Sequence, residues 1–222
     1  MKYQVPPPGT GETLVTAFLD ALARSLTLRT DPSSPAGPHC ARVFDALTAL
    51  TALTALTALT SSRPAFPEAV EGSLLPACSY VDDAVSSVDE TGHKDLIGVA
   101  ETLKKLVPRL RWMHRTGLRG VVADFPDRHA NALVVGSEGL IRSSDVTIGA
   151  TVMAPGTTYT DHSHPPEEVY LVLSSGEWRH RDEPWWQPGV GGFVHNPPGI
   201  VHAMRARNEP LFAVWLLLDA AR

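Results

Sequence analysis

The residues Gly156-Thr157-Thr158-Tyr159-Thr160-Asp161-His162-Ser163-His164-Pro165-Pro166-Glu167-Glu168-Val169-Tyr170 hold the densest group of metal-ligand side chains in the chain. Side chains of an extended segment alternate between two faces. His162, His164, Glu168 and Tyr170 all sit at even positions, so an extended reading puts them on one face. Val169, Leu171 and Leu173 fall on the other, where a packed layer would cover them. A random surface loop would not sort ligand-type from apolar residues in this way.

A second cluster follows at Gly191-Gly192-Phe193-Val194-His195-Asn196-Pro197-Pro198-Gly199-Ile200-Val201-His202. Its Pro and Gly residues predict a tight turn before His202. That turn can deliver one imidazole across a barrel to the first cluster. His162, His164, Glu168 and His202 together form a mixed nitrogen and oxygen donor set. Such a set suits Fe(II), Mn(II), Ni(II), Co(II) or Zn(II) and leaves positions open for substrate or water. The nearby His180 reads as a loop residue and His195 as a strand residue.

Outward from these clusters the chain divides by pattern. Ala132-Leu133-Val134-Val135, Val146–Met153, Val169–Leu173, Gly192–His195 and Leu211–Leu218 read as strands separated by turn signals, which indicates an all-β sandwich or barrel. Residues from about 10 to 118 read mostly as helix. Thr10 or Thr13 is a candidate cap for a helix whose Leu14, Phe18, Leu22 and Leu26 share one face. The segment 30–38 reads as a loop, and a helical stretch from about Lys94 to His114 should break near Pro108. Between them, residues 46–60 repeat Thr-Ala-Leu. A step of three residues turns an α-helix by about 300°, so Leu47, Leu50, Leu53, Leu56 and Leu59 drift round it and give no clean apolar stripe. The expected division is a helical extension over 1–118 and a β-barrel over 119–222.

The 222 residues suit one domain with an extension, and an apolar fraction of 43% can build a core. A formal net charge of -5 lacks the basic footprint of a nucleic-acid binder. No apolar run reaches the about 18 residues of a membrane span, and the start Met1-Lys2-Tyr3-Gln4-Val5 does not resemble a secretory signal. Cys40 and Cys78 sit in no metal-binding or redox spacing and read as ordinary thiols. The expectation is a cytoplasmic protein with no nucleic-acid or membrane partner, and a homodimer is compatible with it.

The two clusters together resemble the cupin superfamily, whose motifs run G-x5-HxH-x3,4-E-x6-G and G-x5-PxG-x2-H-x3-N. Gly156, His162, His164 and Glu168 match the first motif, with Gly176 one residue late. Gly191, Pro197, Gly199 and His202 match the second, with Ala206 where Asn is usual. The implied fold is mainly β, a double-stranded β-helix barrel with the N-terminal helical extension, holding one divalent transition metal ion. The run from Tyr159 to Tyr170, then Trp178 and Pro197-Pro198-Gly199-Ile200-Val201-His202-Ala203-Met204, is similar to the dimethylsulfoniopropionate (DMSP) lyase family of cupins.

That resemblance implies cleavage of a zwitterionic sulfonium carboxylate to dimethyl sulfide and acrylate. It implies His164, Glu168 and His202 as ligands, and His162 as a ligand or a residue lining the site. Tyr170 matches the general base and Tyr159 a second pocket tyrosine. Aromatic faces attract a sulfonium cation. Tyr159, Trp178, Trp185, Trp186 and Trp215 are candidates for such a wall, with Trp178 and Trp215 foremost. The same donor set would also serve a cupin dioxygenase or isomerase, or a cupin that binds a small ligand without turnover.

Overall fold

The computed structural model describes residues 10–60, 72–117 and 122–218, with the side chains of 10–13 and 53–60 set aside. Helices come first: α1 (Thr10–Arg29), α2 (Gly37–Thr60), α3 (Val81–Asp89) and α4 (Lys94–Leu106). Nine strands follow: β1 (Trp112–Met113), β2 (His129–Val135), β3 (Val146–Met153), β4 (Thr158–His162), β5 (Glu168–Val172), β6 (Glu177–His180), β7 (Phe193–Asn196), β8 (His202–Arg205) and β9 (Leu211–Leu218). A single helical turn, α5 (Phe125–Arg128), precedes β2.

The strands form two antiparallel sheets. One has six strands in the order β1-β2-β3-β9-β5-β7, the other three in the order β4-β8-β6. The strand pattern sorts side chains between two cores. Phe212, Val214 and Leu216 of β9, with Val169 and Leu171 of β5, join the core shared with the helices. Leu211 and Ala213 of β9, with Tyr170 and Val172 of β5, face a second core that also holds Tyr159, Trp178 and Met204 from the small sheet. The six-stranded sheet is therefore apolar on both faces. Left bare, its outer face would expose side chains whose burial is worth about 1.5–3 kcal/mol each. Helices α1 to α4 cover it, with Phe18, Leu22, Leu26, Val43, Leu47, Leu96 and Leu103 all buried there.

Most expected elements are found within a residue or two. Phe18, Leu22 and Leu26 of α1 lie buried on one face, with Leu14 half-buried beside them. The expected caps at Thr10 and Thr13, Leu53, Leu56 and Leu59 of the Thr-Ala-Leu run, and the boundary at 118/119 lie outside the described residues and side chains. Of that run's remaining leucines, Leu47 is buried and Leu50 half-buried.

Three readings change. The helical stretch expected over about 94–114 does break near Pro108, but it ends there: α4 stops at Leu106 and does not resume. Val107–Arg109 tighten into a 3-10 turn and the chain becomes extended. Pro108 lacks the N–H needed to continue a helix, and Trp112 instead donates its backbone N–H to Ser73 O at 3.0 Å. His180 ends strand β6 rather than lying in a loop. Third, 156–170 is not one extended segment. Residues 163–167 turn, so that β4 and β5 lie in different sheets.

One glycine has a specific duty. Gly149 pairs with Trp215 across β3 and β9. A Cβ there would stand 2.1 Å from Trp215 Cζ2 and 2.5 Å from Ala132 O. Gly149→Ala should therefore lower stability by about 1–3 kcal/mol, as overpacking does, read as a lowered urea midpoint.

Candidate metal centre and active site

β4 and β8 pair with His162 opposite His202, and His180 of β6 lies opposite His202 on its other side. The turn before His202 is the one expected. Ile200 N–H donates to Pro197 O at 3.1 Å, and Gly199 takes φ +70°. That left-handed value costs glycine nothing. Gly199 N–H also donates to His164 O at 3.0 Å, which ties the second cluster to the first.

From the facing sheet, β5 brings Glu168 to the same point. His164 Nε2 lies 3.1 Å and His202 Nε2 3.4 Å from Glu168 Oε2. One ligand atom from each of His164, Glu168 and His202 lies within 4.8 Å of the others. His164 shares its Nδ1 with Pro166 O at 2.9 Å and His202 with Ile200 O at 3.0 Å. A carbonyl only accepts, so both rings carry a proton on Nδ1 and turn Nε2 toward Glu168, where it donates to the carboxylate when protonated and is free to ligate when not. His202 Nε2 is buried and makes no aligned hydrogen bond. Two such nitrogens converging on a buried carboxylate oxygen are the donor set of a divalent metal ion, and the residues present fit one.

Charge follows the same geometry. Burial alone would raise the Glu168 carboxyl, but hydrogen bonds and charge from His164 and His202 outweigh it and hold it well below the usual carboxylate range. His164 is lowered by burial, yet the Glu168 contact carries it above its ordinary value.

His162 takes a different position. Its ring stands 4.1 Å from that of His202 and 4.2 Å from that of Tyr159, centroid to centroid. Its Nδ1 meets Thr160 O at 2.9 Å, and burial pushes its pKa down to about 3. It lines the site beside the His164–Glu168–His202 group and is not one of the three converging residues. It sits on β4 beside His202 of β8 in the same small sheet.

A cavity of about 110 Å³ opens onto these residues and is lined in addition by Arg115, Asn131, Tyr159, Tyr170, Met204 and Trp215. Tyr159 and Tyr170 are both buried. Burial, then the Glu168 carboxylate, keeps the Tyr170 phenol well above its ordinary pKa. Burial does the same to Tyr159. Trp215 stands on the wall. Trp178 does not: it is fully buried, its ring 6.0 Å from that of Tyr170, and it is absent from the lining. The large ring fills the barrel core instead of meeting the cavity. Trp186 packs its ring against His180 at 4.9 Å, and Trp185 lies between the guanidinium groups of Arg179 and Arg205.

Two supports were not read from the sequence. Asn196, paired with Glu168 across β5 and β7, donates Nδ2–H to Glu168 Oε2 at 2.8 Å and meets His180 Nε2 through Oδ1 at 2.8 Å. Glu167 points the other way, to His195 Nε2 at 2.7 Å, to His39 Nδ1 at 3.2 Å and to Arg42. His39 and Arg42 belong to α2, so the helical layer grips the loop that carries His164 and Glu168. Asn196 directly precedes Pro197 in the second cluster, and only the pairing of β5 with β7 gives it a role.

A two-sheet barrel with a His-Glu-His group inside has the architecture of a cupin, and that group is a candidate metal site. The chain belongs to the DMSP lyase family, whose model matches residues 51–213, well over half of its length. It is 34% identical over 95 residues to dimethylsulfoniopropionate lyase DddQ of Ruegeria pomeroyi, covering 42% of this chain and 47% of DddQ. The chain thus matches about half the length of the curated relatives. Among solved structures, one described as DMSP lyases RdDddP and RnDddQII superposes with a TM-score of 0.64 at 20% identity, over 95% of this chain and 94% of that one. The DMSP lyase DddQ structure from Ruegeria pomeroyi gives 0.59 at 24%, over 81% of this chain and 91% of that one. These likenesses show the shared fold. Among the described residues no helix is long and apolar enough to cross a membrane, and Cys40 and Cys78, both buried, form no disulfide with each other.

His202→Ala should leave purified protein with little bound metal by elemental analysis. Asn196→Leu removes the donor to Glu168 and should weaken metal affinity about 10–100-fold, read by competition with a chelator.

Proposed function

We propose that this protein is a metal-dependent carbon–sulfur lyase that cleaves dimethylsulfoniopropionate, or a close sulfonium carboxylate, to dimethyl sulfide and acrylate. The observation that carries the reading is Tyr170, buried on the wall of a small aromatic-lined cavity and two residues from the ligand Glu168. His164, Glu168 and His202 would hold a divalent ion, one of Fe, Mn, Zn, Ni or Co, and His162 is proposed as a fourth, weaker donor or a wall residue. A divalent ion held there supplies positive charge that polarises the substrate carboxylate and stabilises the charge developing beside it.

β-Elimination needs a base at the carbon next to the carboxylate. Tyr170 accepts that proton, the electron pair forms the carbon–carbon double bond, and the carbon–sulfur bond breaks with its pair leaving on sulfur. Burial and the neighbouring carboxylate both favour the neutral phenol. The phenolate therefore requires positive charge close to its oxygen, and the Glu168 side of Tyr170 is where the ligand residues gather. The rings of Tyr159 and Trp215, both on the cavity lining, are the candidates to receive the sulfonium end. Tyr159 packs against Phe125 and His129, whose centroids lie 5.7 and 4.7 Å away, and these hold its ring in place.

Headspace gas chromatography of metal-loaded protein given the substrate tests the reading, with dimethyl sulfide the expected product. No dimethyl sulfide would end the lyase assignment, and oxygen uptake in its place would point to a dioxygenase. Tyr170→Phe should keep fold and metal but lose on the order of 10²–10⁴-fold in turnover. Retention of more than about a tenth of wild-type turnover would move the base to another group, with Tyr159 next to test.

A further inference from the structure

Arg115 follows β1 and reaches the cavity that holds Tyr159, His164, Glu168, Tyr170 and Trp215. It is exposed, at the open side of a site whose other walls are mostly buried. Several arginines around the barrel are paired: Arg128 with Asp124, Arg179 with Asp161, and Arg205 and Arg207 with Glu177. Arg115 forms no ion pair with a described carboxylate.

The acid on the cavity wall is already engaged. Glu168 Oε2 is met by His164, His202 and Asn196. Arg115 shares the cavity lining with Tyr159, Tyr170 and Trp215 and is itself exposed, so it stands where the cavity meets solvent. An entering anion therefore finds one described guanidinium on the lining without a protein partner.

We propose that Arg115 recognises the carboxylate of the substrate at the mouth of the cavity and so sets the direction in which a zwitterionic sulfonium carboxylate enters. This rests on the lyase reading for the identity of the substrate. A guanidinium offers a planar fork of donors that matches a carboxylate in two bonds. It repels a sulfonium, which leaves the aromatic faces of Tyr159 and Trp215 as the place for that end. Arg115 is thus a specificity-determining residue, and it takes no proton in the reaction.

The test uses metal-loaded full-length protein with Arg115→Gln and Arg115→Lys. Two readouts are taken: KM and kcat for dimethyl sulfide release, and calorimetric binding of acrylate beside trimethylsulfonium, a cation with no carboxylate. Arg115→Gln should raise KM and the acrylate Kd by at least about tenfold, the size of one lost charge-assisted hydrogen bond. It should change kcat less than KM and should not weaken trimethylsulfonium. Arg115→Lys should recover part of the acrylate affinity, since it keeps the charge and loses the fork. An acrylate Kd within about twofold of wild type in Arg115→Gln overturns the proposal, as does equal weakening of both ligands or a wild type that binds no acrylate. A wild type that binds acrylate but releases no dimethyl sulfide fails the lyase reading alone, and the acrylate comparison still decides Arg115.

Discussion

The carboxylate of Glu168 is the constraint around which the barrel is organised. It is 4% exposed, and an ionised carboxylate withdrawn from water is strongly unfavourable unless donors or cations surround it. Each neighbour answers that demand from a different element. His164 comes from the turn after β4, His202 from the start of β8, and Asn196 from the end of β7. The two sheets must close on each other for these groups to meet. The polar interior of the barrel and its closure are one requirement, because the same contacts that satisfy the carboxylate bring the ligand nitrogens together.

The helical layer belongs to the same design. The six-stranded sheet is apolar on both faces, so it needs a cover, and α1 to α4 supply it. The cover also reaches the site. His39 of α2 is fully buried, its Nε2 3.1 Å from Leu216 O of β9 and its Nδ1 facing Glu167. Glu167 and Glu168 are adjacent yet serve opposite sides of the sheet, one bound to the helices and one to the ligand histidines. Alternation along β5 makes that division automatic. Damage to the helical layer should thus be felt at the ligand loop without any contact between helix and ligand.

The cavity is small and unevenly lined, and that shapes what chemistry it can host. Its aromatic side is Tyr159, Tyr170 and Trp215, its ligand side His164, Glu168 and His202, and its open side Arg115. A substrate with a cationic and an anionic end meets complementary surfaces for both. A fold of this kind serves many reactions. The reading here rests on that distribution and on family membership, not on the barrel alone.

The residue types and spacings of the sequence were enough to pick out His164, Glu168 and His202, which the structure gathers, five strands of the large sheet and the turn before His202. Ligands need particular side chains, strands need apolar or alternating runs, and a turn needs Pro and Gly, all of which are local properties. The small sheet was not legible. Its strands TYTDH, EWRH and HAMR are short, and their polar residues mask the alternation. Even parity from His162 to Tyr170 suggested one face, but the turn at 163–167 put the two ends on opposite sheets. His162 stands beside the converging group, and Trp178, on β6, lies in the core. Asn196, Arg115 and the α2 grip on Glu167 were also invisible in the sequence. Each depends on which strands and helices become neighbours, and pairing between elements far apart in the chain is settled only when the whole barrel closes.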